Sequence, residues 1–592
     1  MLNELVVYAD KYLSDSEPGF KIRDVRWSIE LDSTGRFLNV LPLGDGKRGA
    51  DLPRCPDMPG MNAGGKSHFL VETAQTISLL SKPNEDGKKL AGAAVRHRFY
   101  VGLLREASAA SSRLGLLADV LEDEIRRQDI HTALLSHKVK PTDWLTWRID
   151  GKDPRLEDEV QMWWRKRRRQ DEGGPAAKIT PRGKPADTGK MVCLITGQAT
   201  RPLATHPKIA GLSGVGGLAM GDVLVGFDKA AFGSYDLDQS ENAAMSEEAA
   251  QKYVDALNDL IRNHSRKLAN TLVTHWYKTR LPPEDDPLAF LVGMESEETT
   301  EAAARSSARR LLESIRKGER STLGDNHYYA LTLSGAAGRV MVRDWMEGQF
   351  SELVRHIAAW FDDLEIVARD GQGLARDPKF MAVCGAMVRE LKDLSAPTVT
   401  ALWKAAVQGL PIPQPLLAQA LVRFRSDVVD KDQPAFNHAR MGLIKAYFVR
   451  RKPGGDSTMT ASYNPNHAAP AYHCGGLLAL LANLQRAALG DVGAGVVQRF
   501  YAAASQTPGL VLGRLAANAR NHLTKLEPGL AWWYEERIAE VMIRLGDAAP
   551  RTLDLEGQGL FALGYYQKLA ELRAGNKATS AAFVINEQGA PQ

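Results

Sequence analysis

Over the first 95 residues the apolar positions come in short runs broken by Gly and Pro. Residues 21–30 and 36–43 carry the alternation of strands, and the Pro- and Gly-rich stretch 42–65 reads as loop. From Ala91 to His137 the spacing changes to three and four (Phe99, Leu103, Leu104, then Leu114, Leu117, Val120, Leu121, Ile125), which predicts two helices. A strand-like run at 192–196 leads through glycines at 211, 214, 216, 217 and 221 to a helix expected to begin near Ser246. There a hydroxyl acceptor and the carboxylates of Glu247 and Glu248 suit the unpaired amides of a first turn. Another strand pattern, 328–333, reaches a small-residue turn. Beyond Phe350 the strand signal fades, and after about residue 396 helical segments at 477–489, 496–504, 510–526, 532–545 and 560–573 are separated by short Gly or Pro breaks. The pattern predicts an α+β fold: a large mixed N-terminal platform, residues 1–395, followed by an all-α C-terminal helical bundle, residues 396–592.

Composition narrows the classes. The chain has 592 residues, with 75 Lys and Arg against 71 Asp and Glu, a formal net charge of +4. A surface this close to neutral is not that of a polycation, so any nucleic-acid site has to be local. No apolar run approaches the about 18 residues of a membrane span, and residues 2–13 carry Glu4, Asp10 and Lys11 where a signal peptide has an apolar core. A cytoplasmic chain with no membrane partner is the expectation. Cys55, Cys193, Cys384 and Cys474 are far apart and read as isolated thiols rather than a disulfide framework or a zinc knuckle. The histidines show no H-E-x-x-H spacing and no G-x-S-x-G elbow occurs, so the expectation is a non-enzyme with no cofactor and no metal.

Four constellations stand out. Gly60, Gly65, Lys66 and Ser67 satisfy the G-x-x-x-x-G-K-S pattern of phosphate loops, but Pro53, Pro56 and Pro59 with Asp51, Arg54 and Asp57 occupy the place of the buried strand such a loop requires. A flexible glycine turn carrying one lysine, or a backbone-hugging contact in which Lys66 meets a phosphate or base edge, are the other readings. Trp163 and Trp164 precede Arg165, Lys166, Arg167, Arg168 and Arg169 and open a basic segment, about 165–190, that reads as a mobile loop. Aromatic faces next to cations suit single-stranded nucleic acid; a solvated helix face is the alternative. The glycines from 211 to 221 either embrace a phosphate backbone or make a tight turn. Arg339 and Arg343, four apart, can share a helix face and address adjacent phosphates or surface carboxylates.

Longer matches then carry a resemblance. They are Cys193-Leu-Ile-Thr-Gly-Gln, Thr205-His-Pro-Lys-Ile-Ala-Gly, Phe232-Gly-Ser-Tyr, Asn242-Ala-Ala-Met-Ser-Glu-Glu-Ala-Ala, His327-Tyr-Tyr-Ala-Leu-Thr-Leu-Ser-Gly-Ala-Ala-Gly-Arg-Val, Ala439-Arg-Met-Gly-Leu-Ile-Lys-Ala-Tyr, Pro470-Ala-Tyr and Arg499-Phe-Tyr-Ala-Ala-Ala-Ser-Gln-Thr-Pro. In order and total length the chain resembles the large subunit of the type I-C CRISPR Cascade surveillance complex. It departs where that family often has Phe-Leu-x-Asp-Asn and this chain has Phe69-Leu-Val-Glu72-Thr73.

The resemblance implies a non-enzymatic subunit that recognises a protospacer-adjacent motif in double-stranded DNA, starts unwinding and stabilises the R-loop. Its implied partners are guide RNA, target duplex and displaced single strand, the backbone and RNA-processing subunits of Cascade, a small subunit, and a helicase-nuclease recruited afterwards. On this reading Gly64, Gly65, Lys66, Ser67, His68 and Thr73 read the motif. The Arg165 to Arg169 run guides the displaced strand or RNA, Arg339 and Arg343 hold backbone, and Arg499, Arg514, Arg520 and Lys525 give the bundle a one-sided strand contact. Similar large-subunit genes also encode the small subunit from an internal start. Met459 is the candidate, giving 134 residues, with Gly454, Gly455 and Asp456 upstream encodable by purine-rich codons. A P-loop nucleotide hydrolase and a structural adaptor without DNA contact are the rival classes.

Overall fold

The structure, a computed structural model, describes residues 1–13, 17–45, 49–58, 65–82, 85–173, 189–235, 237, 239–292, 300–317, 321–429, 437–451, 458–490, 495–546 and 549–587. The chain forms two compact units, residues 1–209 with 223–259, and residues 210–222 with 260–592.

The first unit is built on a mixed four-stranded sheet. Strand β2 (Trp27–Leu31) pairs antiparallel with β3 (Phe37–Pro42) and parallel with β6 (Trp144–Ile149), and β6 pairs antiparallel with the two-residue β5 (Glu72–Thr73). Ile29 lies opposite Val40 on one side and Trp147 on the other, all buried. The long first strand expected from residue 21 divides at Arg26: β1 (Phe20–Val25) leaves the main sheet to pair with β4 (Ala50–Pro56). The stretch read as loop therefore contains a strand. Pro53 is tolerated because that ribbon has only two strands, leaving a ladder edge on which a missing N–H costs little.

The helical run after Ala91 is three helices, Gly87–Ala107, Ser112–Glu122 and Glu124–Ser136, not two. The unforeseen break is at Asp123, whose carboxylate accepts from Ile125 N–H and Arg126 N–H and so restarts the helix. Ile125, counted in the apolar spacing, is exposed. Tyr100, Leu103, Leu104, Leu114, Leu117 and Leu121 complete the core with Ile29 and Trp147.

The segment expected to be mobile from about 165 is helical through its first turns, Asp158–Gly173; residues 174–188 lie outside the described ones. The strand expected at 192–196 shrinks to β7 (Met191–Val192), paired with β8 (Ala199–Thr200) across a turn with Gly197 at φ 69°. The helix near Ser246 runs Glu247–Asn263, and Ser246 Oγ accepts from Ala249 N–H as the cap chemistry required.

The second unit opens on an antiparallel meander, β9 (Ser265–Leu268), β10 (Thr271–Tyr277), β11 (His327–Ala336) and β12 (Arg339–Gln349). The glycine passage packs against it as a tight turn. Gly216 has φ 91°, and a Cβ on Gly335 of β11 would overlap the Gly217 backbone, so two glycines let the chains touch. The fully buried Asp222 closes that turn by accepting from Leu218 N–H.

After β12 come the helices: Phe350–Leu364, Ala396–Gln408, Gln414–Val429, His438–Arg450, Pro470–Leu489, Val496–Ala504, Pro508–Leu523, Pro528–Leu545 and Leu555–Glu587. Trp360, Phe380 and Trp403 sit in one apolar core with Leu443, Leu478 and Phe561, so packing is continuous across residue 395.

Candidate functional site

Lys66 is placed by its neighbours. Gly65 adopts φ 73°, and residues 67–72 that follow are buried in the first unit. His68 N–H donates to Glu72 Oε2 at 2.8 Å, and Thr73 N–H donates to Glu72 Oε1 at 2.8 Å. Tyr100 Oη donates to the Leu70 carbonyl and itself accepts from Trp147 Nε1–H at 2.7 Å.

Beneath lies a charged node. Asp57 receives Lys21 Nζ at 2.7 Å and an Arg23 guanidinium nitrogen at 2.5 Å. Arg23 stacks over the Trp144 ring with its guanidinium carbon 4.3 Å from the centroid, and His68 Nδ1 accepts from Met58 N–H at 3.1 Å. Burial opposes ionisation of Asp57, but the charges of Lys21 and Arg23 outweigh it and hold the carboxyl well below the usual carboxylate range.

Ser67 and His68 are therefore buried members of this base, not exposed readers, which corrects the expectation that they reach a groove. Thr73, half-buried, stands at the N-cap position of the short helix Ala74–Ser78 without a side-chain bond to its amides, its hydroxyl 3.2 Å from that of Thr76. Gly64 lies outside the described residues. Lys66 alone is half-exposed with no partner among the described residues. No helix starts at Lys66, and the strand before it belongs to a two-stranded ribbon, so the strand–loop–helix geometry that aims amides at a nucleotide's phosphates is missing.

The basic run is largely spent inside the unit. Arg165 makes a two-pronged pair with Glu17 at 2.6 and 2.8 Å, Arg167 meets Glu106 at 2.8 Å, and Arg168, buried, meets Glu247. Trp164 is buried, donates Nε1–H to the Gly19 carbonyl and stacks on Phe69, which Trp163 also contacts. The expected aromatic platform is thus core packing. Lys166 remains exposed without a partner among the described residues, and the Arg169 side chain lies outside them.

Arg339 and Arg343 lie on a strand, β12, not a helix. The ladder slips between Thr332 and Leu333, which leaves Arg343 as the extra residue of a bulge, its Nε donating to Ser334 Oγ at 2.8 Å. In the bundle Arg499, Arg514, Arg520 and Lys525 are exposed and without partners among the described residues. Helical spacing aligns Arg514, Asn518 and Asn521, whereas Arg520 points about 120° away and Lys525 lies in the turn after the helix ends at Leu523.

Sequence reading missed the node of Lys21, Arg23, Asp57 and Trp144, since nothing local links these four positions. It also missed the setting of Cys193. Burial raises that thiol's pKa, but hydrogen bonds from the Thr196 hydroxyl and from the backbone of Thr196 and Ser246 prevail and bring it from 9.0 to about 7.

A family model described as CRISPR-associated protein (Cas_Csd1) matches residues 5–573. The chain belongs to the Cas_Csd1 family. That match bears out the resemblance to the large subunit of type I-C Cascade and makes this a Cascade-type CRISPR subunit. No curated protein matches the chain. No helix among the described residues is long and apolar enough to cross a membrane.

Proposed function

We propose that this family member reads a short motif in double-stranded DNA beside the guide-matched segment, starts strand opening, holds the R-loop and helps recruit the helicase-nuclease, with no bond-breaking of its own. The observation that carries the reading is Lys66: an ammonium without a partner among the described residues, next to a positive-φ glycine and to the buried segment that follows it. One cation on close-approaching backbone suits contacts that are weak and sensitive to groove shape, as a subunit that tests many sites requires. Lys166, Arg514 and Lys525 supply the sequence-independent attraction to phosphate.

The test compares assembled complexes on duplexes with correct and scrambled flanks. Lys66→Ala is expected to lose most of the preference, at least about tenfold, while the chain's melting temperature stays unchanged, because Lys66 supports nothing in the fold. Retained preference would reject Lys66 as the reader. Magnesium-dependent ATP binding abolished by the same substitution would replace the reading with a nucleotide-hydrolysing one.

We also propose that residues 459–592 are made separately as the small subunit. The segment after Thr458 is tied to helices of that same stretch: Asn464 N–H donates to Tyr472 Oη, Gln567 Nε2 donates to the Thr460 and Ala461 carbonyls, and Tyr463 Oη lies 3.1 Å from His473 Nδ1. A Met459→Leu gene that still yields the short chain would refute this start.

A further inference from the structure

The helix Pro528–Leu545 is apolar on two sides. One side closes the core of the second unit: Tyr534, Val541 and Leu545 are buried there, and Tyr534 Oη donates to Asn483 Oδ1 at 2.6 Å. At about 100° per residue the opposite side is centred on Trp532, with Ala539 and Ile543 within about 20° of it and Met542 about 80° away. A helix on the outside of a bundle carries its charged residues on that side. Here Trp532 is 63% exposed, Ile543 77% and Met542 45%, and Ala539 is exposed as well. The stripe from Trp532 to Ile543 is about 17 Å long.

Single apolar side chains on a surface need no explanation, but a contiguous row headed by a tryptophan does. The adjacent Trp533 packs edge-on against Tyr534 and beneath Arg537. Trp532 has no such ring or cation neighbour and no hydrogen bond among the described residues, so its ring contributes nothing to the fold. Apolar surface that the fold leaves in water is surface that a partner gains by covering.

The charge beside the stripe selects that partner. Glu535 and Glu536 are exposed and lie within about 60° of Trp532. The cations of this helix, Arg537 and Arg544, stand about 120° or more away from it. Arg537 is engaged by Glu540 at 2.6 Å and draws on Glu536 only at longer range. Carboxylates placed in this way repel phosphate within a Debye length and attract Lys and Arg. A base stacked on Trp532 would bring its own phosphate against them, which turns a strand contact away. We infer that the outer stripe of Pro528–Leu545 docks another protein subunit of the Cascade-type complex, Trp532 filling an apolar pocket whose rim carries Lys or Arg to meet Glu535 and Glu536. Tryptophan is among the residues that most often anchor such contacts, with charged groups at the edge setting partner choice. The inference rests on membership of the Cas_Csd1 family and not on which residue reads the DNA flank.

The experiment assembles the full chain with guide RNA and the other Cascade subunits and measures its retention in the purified complex by native mass spectrometry across a dilution series. Trp532→Glu and Ile543→Glu are each expected to weaken retention at least about tenfold, and Trp532→Phe to keep most of it. Glu535→Lys combined with Glu536→Lys is expected to weaken it by a similar factor. Each isolated chain should melt at the wild-type temperature, because these side chains stand in water, so lost retention is not misfolding. Unchanged retention in both Trp532→Glu and Ile543→Glu overturns the inference. Retention that falls in those two but ignores the charge reversal overturns it as well, since the pocket then has no basic rim. An isolated chain that sediments as an oligomer and becomes monomeric in Trp532→Glu would make a second copy the occupant. Unchanged retention with weakened binding to single-stranded DNA would make it a nucleobase, and either result rejects the inference. Retention reads assembly alone, so a failed Lys66 test leaves every one of these outcomes readable.

Discussion

Asp57 decides what Lys66 is able to do, because the node it organises braces the backbone on which the lysine stands. Asp57→Asn removes the counter-charge of Lys21 and Arg23 and is expected to destabilise the first unit by about 2 kcal/mol, less than a fully buried pair because Lys21 is partly in water. The acid dependence has a definite sign. The folded carboxyl ionises below its unfolded value, so its contribution is complete above the ordinary carboxylate range and is lost as pH falls through and below it. Thermal melts from pH 7 to 3 should fall less steeply in Asp57→Asn. Cys193 gives a second window. With its pKa lowered from 9.0 to about 7, its contribution is full above pH 9.0 and disappears as pH falls to about 7. Melts should therefore rise between those values in the wild type and lie flatter in Cys193→Ala. Neither role was legible locally: Cys193 read only as an isolated thiol opening a family-like stretch, and the lysine stood out by its glycine pattern, whereas the node beside it joins Asp57, nine positions earlier, to Lys21 and Arg23 of β1.

Among the elements, the contact of Pro470–Leu489 with Leu555–Glu587 is set by missing side chains. A Cβ at Gly475 would overlap the Phe561 carbonyl, and one at Gly564 the Tyr472 carbonyl, so the two helices touch backbone to backbone. Gly475→Ala and Gly564→Ala are each expected to cost at least about 2 kcal/mol, since neither backbone can retreat without opening the core. Gly476→Ala faces only the Tyr463 ring and should cost less, and denaturant melts of the full chain compare the three. The helices were legible because their apolar spacing is long and regular; a glycine pair inside one of them read only as a weak helix former. The β strands were less legible. β11 was visible as an apolar run, whereas β12, with only Val340 and Met346 buried and a bulge at Arg343, presented its basic residues as a helix face. Period-based reading fails there because a bulge shifts the alternation by one residue.

At the scale of the whole molecule, a net charge of +4 conceals a division between cations spent on the fold and cations left for a partner. Arg165, Arg167 and Arg168 belong to the first group, and Lys66, Lys166, Arg514 and Lys525 to the second. Neutralising Arg165 or Arg168 is therefore expected to lower the melting temperature along with any DNA affinity. Arg514→Gln or Lys525→Gln should leave stability unchanged, weaken complex binding equally on all sequences, and reduce the slope of log affinity against log salt by about 1 each in titrations. The sequence alone determined the α+β class, the helical C-terminal region and the family, because each follows from residue order: apolar period sets element type, and long ordered matches set ancestry. Only the tertiary structure decided which glycines, cations and aromatics serve the fold and which face outward. A guanidinium such as Arg165 or a tryptophan ring such as Trp164 acquires its role from neighbours more than a hundred positions distant, and no local pattern encodes who those neighbours are.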